Sequence, residues 1–270
     1  MVTVLRPLST SELLDRTFHL YRNHFLLFVG ITAIPQLVVL VLRLGGAALI
    51  AGNQFLGFGA ITILTGLASY IAIEISHAAT VVAVSDLHLD RAASIGSAYS
   101  TAKSSMLRVI GISLAVGIAV GIGLIFLLVP GIYLALMWSL AIPVTVLEGG
   151  GLGVSTTRST ELTKGSRGRI FVIYVLIVIL SVVVSFIVEL PVGIVAGLMS
   201  RGASTGAVGV VQAMSAVANF LSASLVGPLA TIALTLVYYD QRVRKEGFDL
   251  QLMMSRLQGN TQAAAATPSA

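Results

Sequence analysis

The sequence predicts an all-α integral membrane protein, a six-helix transmembrane bundle of three hairpins. Each hairpin is preceded by a cytoplasmic amphipathic helix, and both termini lie in the cytoplasm. Only 10% of the 270 residues are charged, against about 25% in soluble domains. So few charged side chains could not form the polar surface that a soluble protein of this size needs. The apolar residues also form runs, such as 25–42 and 170–188, without Asp, Glu, Lys or Arg. Runs of this length cross a hydrocarbon core of ~30 Å as helix.

Six spans are predicted, and the third and fourth are divided only by Pro130-Gly131. An unbroken helix over 109–147 would be about 58 Å long at 1.5 Å per residue, nearly twice the membrane thickness. We therefore expect a hairpin turn at this dipeptide. Residues 1–258 form one membrane domain, and 259–270, which lack charged and large apolar side chains, form a disordered tail. The predicted spans are 25–42, 58–84, 109–129, 131–147, 170–190 and 211–239.

The basic residues set the orientation of the spans. Of the 16 Lys and Arg, all but Arg43 and Arg201 precede an odd-numbered span or follow the sixth. Cytoplasmic loops of membrane proteins carry such an excess of basic residues. This bias at every loop predicts that both termini are cytoplasmic.

Cysteine and the motifs of common catalytic sites are missing from the sequence. There is no cysteine, which excludes disulfides and thiolate metal sites. No zinc-protease helix motif, serine nucleophile elbow or phosphate-binding loop is present. We expect a non-enzymatic protein without a metal or cofactor.

An N-terminal helix is predicted before the first span. Ser9 and Glu12 have the spacing of a capping box. Arg16 and Arg22 flank an apolar stripe at helical spacing. The stripe consists of Leu14, Phe18, Tyr21 and Phe25. Such a helix either lies in the headgroup region of the membrane or packs on the underside of the bundle.

Three polar residues form a candidate intramembrane site. Glu74 and His77 share one face of the second span near the membrane midplane, and no Lys or Arg lies within any predicted span. Ionisable residues at this depth often bind solutes or relay protons. Alternatively, Glu74 is an uncharged packing residue that forms a hydrogen bond with Asn219. The sixth span carries polar residues at helical spacing, Gln212, Ser215, Asn219 and Ser222. Such residues either form hydrogen bonds between helices or line a solute path.

Three stretches, 6–22, 130–165 and 238–249, carry recognisable motifs. They are Arg6-Pro7-Leu8-Ser9 and Glu12-Leu13-Leu14-Asp15-Arg16, then Pro130-Gly131-Ile132-Tyr133 and Trp138-Ser139-Leu140-Ala141-Ile142-Pro143, then Tyr238-Tyr239-Asp240-Gln241-Arg242. The sequence resembles the membrane domain of some bacterial glycerophosphodiester phosphodiesterases, which also occurs alone. The resemblance implies a bacterial plasma (inner) membrane protein. It implies no phosphodiesterase activity, because that chemistry belongs to a separate soluble barrel domain, and it transfers no role to Glu74 or His77.

Two functions remain open on the sequence. The first is a scaffold, lipid-organising element or accessory partner without catalysis. The second is a small secondary carrier that uses Glu74 and His77 with the polar stripe of the sixth span. The expected partners are the bilayer, especially anionic lipid headgroups on the cytoplasmic face, and a second copy or another membrane protein. Nucleic acid is not expected, because the basic residues lie in short loops between apolar spans.

The orientation gives a first testable prediction. Reporter fusions after Leu56, Gly131 and Ser204 should report the external side, and fusions after Ser97 and Gly247 the cytoplasm, because the basic loops stay inside. Paired alkaline phosphatase and green fluorescent protein fusions measure this. A cytoplasmic result at Gly131 would remove the hairpin between the third and fourth spans and leave four full spans.

Overall fold

A computed structural model describes residues 8–50, 55–199 and 205–247, and every regular element in these ranges is helical. Six stretches are long and apolar enough to cross a membrane, which agrees with the predicted class and number of spans. They are Phe25–Gly46, Gly59–His88, Met106–Phe126, Leu128–Glu148, Arg167–Met199 and Gly209–Glu246. The predicted tail, 259–270, and Arg201 lie outside the described residues. The cytoplasmic placement of both termini stays a prediction.

The long helices pack around the last one, α10, which contacts α2, α3 and α9. Three short helices, α1, α4 and α8, come before α2, α5 and α9 along the chain. In order, the helices are α1 Thr10–Asn23, α2 Phe25–Ile50, α3 Phe55–His88, α4 Ile95–Ala102, α5 Met106–Phe126, α6 Leu128–Met137, α7 Ala141–Glu148, α8 Leu152–Thr163, α9 Arg167–Met199 and α10 Thr205–Glu246.

Three prolines lie inside the long helices, Pro35, Pro191 and Pro228, and for two of them another element satisfies the carbonyl group that loses its donor. Proline has no N–H, so the carbonyl four residues earlier loses its helical donor. For Pro35 in α2 that carbonyl belongs to Ile31, and it accepts a hydrogen bond from the Tyr99 hydroxyl of α4. For Pro228 in α10 it belongs to Ser224, and the Thr32 hydroxyl donates to it at 2.9 Å. A carbonyl group in hydrocarbon needs such a replacement donor. Helix α4 therefore supplies a hydrogen bond that the bundle needs, through Tyr99.

The turn between the third and fourth spans lies earlier than the sequence predicted. Helix α5 ends at Phe126, Leu127 is extended, and Pro130 lies in the first turn of α6. Proline fits there because the first N–H groups of a helix have no helical acceptor. Gly131 is needed for packing, because a Cβ on it would lie 2.6 Å from the Leu124 backbone nitrogen.

The fourth span, predicted as one helix, is broken at residues 138–140 between α6 and α7. The Ser159 hydroxyl of α8 donates to the Met137 carbonyl at 2.9 Å and accepts from the Leu140 N–H at 3.2 Å. Thr163 donates to the same Met137 carbonyl at 3.2 Å. These bonds satisfy the backbone groups that the break exposes.

The inward face of α8 is rich in hydroxyl groups. Ser155, Ser159 and Thr163 are buried on it together with Leu162. An amphipathic helix would bury an apolar stripe there, which the sequence analysis expected for this segment. Helix α8 therefore binds the broken span through hydrogen bonds, not through an apolar face.

Asp240 joins the N-terminal segment to the ends of α9 and α10. One carboxylate oxygen accepts from the Leu8 N–H at 2.7 Å. The other lies 2.6 Å from Arg169 Nη1 and 2.9 Å from Arg244 Nε, and the Asp240 side chain is fully buried. A second group lies beside it, in which Glu148 accepts from Tyr238 at 2.8 Å and pairs with Arg158. This end of the bundle is therefore fixed by charge-assisted hydrogen bonds.

Asp240→Asn should destabilise the protein by about 3 kcal/mol, since removing one member of a buried ion pair leaves the other charges without a partner. Chemical unfolding of the full chain in detergent measures the change. Asp15→Asn, the same substitution at an exposed position of α1, serves as the control and should stay near wild type. Equal stability of the two variants would contradict the role given to Asp240.

Candidate functional site

Glu74 and His77 lie on one face of α3, as their spacing predicts. Glu74 Oε2 is 3.6 Å from His77 Nδ1, and the two side chains are 8% and 27% exposed. The separation is too long for a good hydrogen bond. Neither atom has a hydrogen-bond partner in the part of the chain that the structure describes. Unsatisfied buried polar atoms are costly, which keeps this pair a candidate site; the buried His88, also on α3, has both ring nitrogens without a hydrogen-bond partner among the described residues.

Asn219 does not reach Glu74. Its side-chain oxygen accepts a hydrogen bond from Arg43 Nη1 at 2.9 Å.

Arg43 lies within α2 and within the span Phe25–Gly46, so the expectation that the spans contain no Arg is wrong. The helix continues beyond the predicted end at 42 because apolar residues resume directly after Arg43. A long side chain lets its guanidinium group reach Asn219 of α10.

A polar cavity of ≈ 330 Å³ lies between α2, α3, α9 and α10. His77 and Asn219 both line it, while Glu74 lies behind His77 and does not. Its other polar lining residues are Thr32, Gln36, Ser76, Ser185, Glu189 and Ser222. Ser185 and Ser222 form a hydrogen bond of 2.8 Å across it. The structure thus brings two of the three candidate residues into one cavity and joins the third to it through His77.

An outer cavity of ≈ 540 Å³ adjoins the first, and Asn219 and Glu189 line both. It contains the Arg43 guanidinium and is open to the surroundings. Gln212 and Ser215 of α10 also line it. The polar stripe of the sixth span therefore lines these two cavities, with Ser215 and Asn219 exposed and Ser222 buried.

An apolar cavity of ≈ 380 Å³ lies on the other side of His77, next to the break in the fourth span. Trp138, Ile142 and Tyr174 are among its walls, and Gly117 faces it from α5. His77 is the residue that the polar and apolar cavities share. No group of three or more His, Asp or Glu that could hold a metal occurs within the described ranges.

The predicted stripe of α1 is divided between two environments. Tyr21 donates to the Leu225 carbonyl at 2.7 Å, and burial raises the pKa of Tyr21 to about 12. Leu14 also packs on the core. Phe18 of α1 and Phe25, the first residue of α2, remain 43% and 40% exposed, and Arg22 near the end of α1 is exposed as well. The predicted stripe therefore does not lie on one helix, because α1 ends at Asn23. The helix thus packs on the bundle and also presents an aromatic edge to the surroundings.

The capping box that begins α1 is confirmed. Ser9 Oγ accepts from the Glu12 N–H at 3.2 Å, and Glu12 accepts from the Ser9 N–H at 2.7 Å. Arg16, which was assigned to the same membrane-facing group as Arg22, is partly buried. Desolvation by burial lowers the pKa of Arg16, and the nearby Asp90 opposes this shift.

Sequence reasoning missed two parts of the site. Arg43 was placed outside the first span, although the apolar residues that follow it indicate a longer helix. The hydroxyl groups of α8 were missed too, although Ser and Thr are concentrated in 155–163. The apolar residues after Arg43 and the Ser and Thr residues of 155–163 are both visible in the sequence. What these side chains do depends on which helix lies opposite them, which the sequence does not give.

Comparison with known proteins gives one match. A family model described as the membrane domain of glycerophosphoryl diester phosphodiesterase matches residues 112–264, which include α6 to α10. No curated protein and no solved structure matches the chain.

Proposed function

The chain belongs to the membrane-domain family of glycerophosphoryl diester phosphodiesterase, and from this premise we propose that it is a non-enzymatic, lipid-organising membrane protein. We place it in the bacterial plasma membrane with both termini cytoplasmic. In this proposal it gathers anionic lipid at the cytoplasmic face and acts there as an accessory or scaffold for other membrane components.

The outward edge of α1 carries this proposal. Phe18 and Arg22 are exposed on α1, and Phe25 and Leu26, which begin α2, are exposed directly after it, the last at 81%. An interfacial helix binds a bilayer by burying such side chains among the acyl chains while its arginines meet anionic headgroups. A free helix would have to be ordered on binding, whereas α1 is already held on the bundle by Tyr21 and by the contact between Asp240 and Leu8. The edge is therefore preorganised.

The lipid composition around the full chain tests the proposal. The protein is extracted with native-disc polymer from vesicles of phosphatidylglycerol and phosphatidylcholine, and the disc lipids are quantified. Wild-type discs should be enriched in the anionic lipid at low salt, since each surface arginine contributes about 1 kcal/mol. Enrichment should fall at 1 M salt, where the Debye length is about 3 Å.

The variant Phe18→Ser with Arg22→Gln should lose most of this enrichment. Arg91→Gln is the control, because Arg91 is exposed but its neighbours in sequence include no aromatic residue. Wild-type discs with the bulk lipid composition at low salt would refute the proposal. An equal loss in the control would show that charge alone, and not the edge of α1, attracts the lipid.

A second function, passage of a small polar solute coupled to a proton, is favoured by the adjoining cavities. The outer and inner polar cavities meet at Asn219 and Glu189, and the inner one ends at His77. The carboxyl group of Glu74 lies 3.6 Å behind the His77 ring. A histidine next to a carboxyl group inside a membrane can exchange a proton. In this proposal the pair passes a proton to or from the inner cavity.

Glu74→Gln distinguishes the carrier from packing alone. The amide keeps the shape of the carboxyl group but cannot exchange a proton, so wild-type proteoliposomes should dissipate a pH gradient faster than the variant. An entrapped pH dye at clamped membrane potential measures the rate. Glu161→Gln, at an exposed position of α8, should match wild type. Equal rates for wild type and Glu74→Gln, including no dissipation in either, would exclude the carrier.

A further inference from the structure

The outer cavity contains two groups of opposite charge that are not paired with each other. Arg43 and Glu189 both line it. In the described part of the chain, no ion pair within 4.0 Å joins either residue to a group of opposite charge. Arg43 is bonded to the neutral amide of Asn219. The site lies at the opposite end of α2 from α1, so it is independent of the lipid-binding edge proposed above.

Arg43 is partly buried and Glu189 is exposed, and both lie in segments that are long and apolar enough to span a membrane. Charged groups in such segments usually face a ligand or a water-filled cavity. A ligand with one charge would neutralise one group and be repelled by the other. A ligand with both charges would satisfy Arg43 and Glu189 together. We propose that this cavity binds the head group of a zwitterionic glycerophospholipid, with its phosphate on Arg43 and its primary ammonium on Glu189.

The geometry of Arg43 suits a phosphate. A guanidinium group presents its N–H donors in a planar fork that matches two phosphate oxygens. Asn219 holds Nη1 at 2.9 Å and so orients the plane of the group. Nε and Nη2 have no partner among the described residues and remain available. A carboxylate such as Glu189 accepts hydrogen bonds only, which fits a primary ammonium with three donors.

An apolar groove beside the cavity indicates that the ligand is a lipid. The groove has a volume of ≈ 410 Å³, lies between α9 and α10, and shares Val192 and Ala218 with the outer cavity. Val217 and Leu221, also in its walls, are 42% and 46% exposed on the surface of the bundle. It therefore leads from the charged groups to the side that faces the acyl chains. A water-soluble zwitterion would make no use of such a groove.

Native mass spectrometry of the full chain in detergent tests the assignment. The chain is titrated with phosphatidylethanolamine, which carries phosphate and a primary ammonium, and with phosphatidylglycerol, which lacks the ammonium. Wild type should bind phosphatidylethanolamine about tenfold more tightly, as expected for one additional charge-assisted hydrogen bond. Glu189→Gln should remove this preference by weakening phosphatidylethanolamine and strengthening phosphatidylglycerol. Arg43→Gln should weaken both lipids by about tenfold.

Asn219→Asp tests the contact between Arg43 and the phosphate without removing the arginine. A carboxylate at this position would pair with Arg43 and compete with phosphate, so binding of both lipids should fall without loss of the arginine. Arg201→Gln, the other basic residue predicted on this side, is the control and should retain wild-type binding.

Three results would overturn the proposal. The first is equal affinity of the wild type for the two lipids. The second is a preference that survives Glu189→Gln. The third is unchanged binding in both Arg43→Gln and Asn219→Asp. Competition by soluble phosphorylethanolamine at the lipid's own concentration would overturn the assignment to a lipid, because the groove would then contribute nothing.

Discussion

The fold depends on one constraint, that a backbone carbonyl or N–H group in hydrocarbon must find a partner within the protein. Regular helices meet it by themselves, but this chain interrupts its helices at prolines and at residues 138–140. The missing donors come from the Tyr99, Thr32 and Ser159 hydroxyls, which reach the Ile31, Ser224 and Met137 carbonyls. Two of these donors, Tyr99 and Ser159, lie on the short helices α4 and α8. The short helices are therefore structural parts of the bundle.

The same constraint explains why polar groups occur within an otherwise apolar interior. Helices joined by hydroxyl and amide groups leave cavities where small side chains meet, and here these cavities follow one another. The inner polar cavity shares Asn219 and Glu189 with the outer cavity and shares His77 with the apolar one. Within the described ranges, Glu74 Oε2 and His77 Nδ1 are among the buried polar atoms that this bonding leaves without a hydrogen-bond partner. The same arrangement of side chains is compatible with two roles for Glu74, as a packing residue and as a group that exchanges a proton.

The opposite end of the bundle is held by charge. Asp240 connects Leu8, Arg169 and Arg244, and Glu148 connects Tyr238 and Arg158. The segment that matches the family includes both carboxylates. Several residues of the terminal motif thus have a structural explanation, since they fix the ends of α9 and α10 to the N-terminal segment. This fixed end supports α1, while the cavities open toward the other end.

The sequence by itself determined the helical membrane class, the six spans and the capping box of α1. Each of these depends on local composition or on residues a few positions apart. Only the tertiary structure decided the turn at Leu127, the break before α7 and the side of α1 that is buried. It also decided that Asn219 pairs with Arg43 and not with Glu74. These features depend on which side chain of another helix supplies a donor or fills a space, and hydropathy along one chain carries no information about the helix opposite.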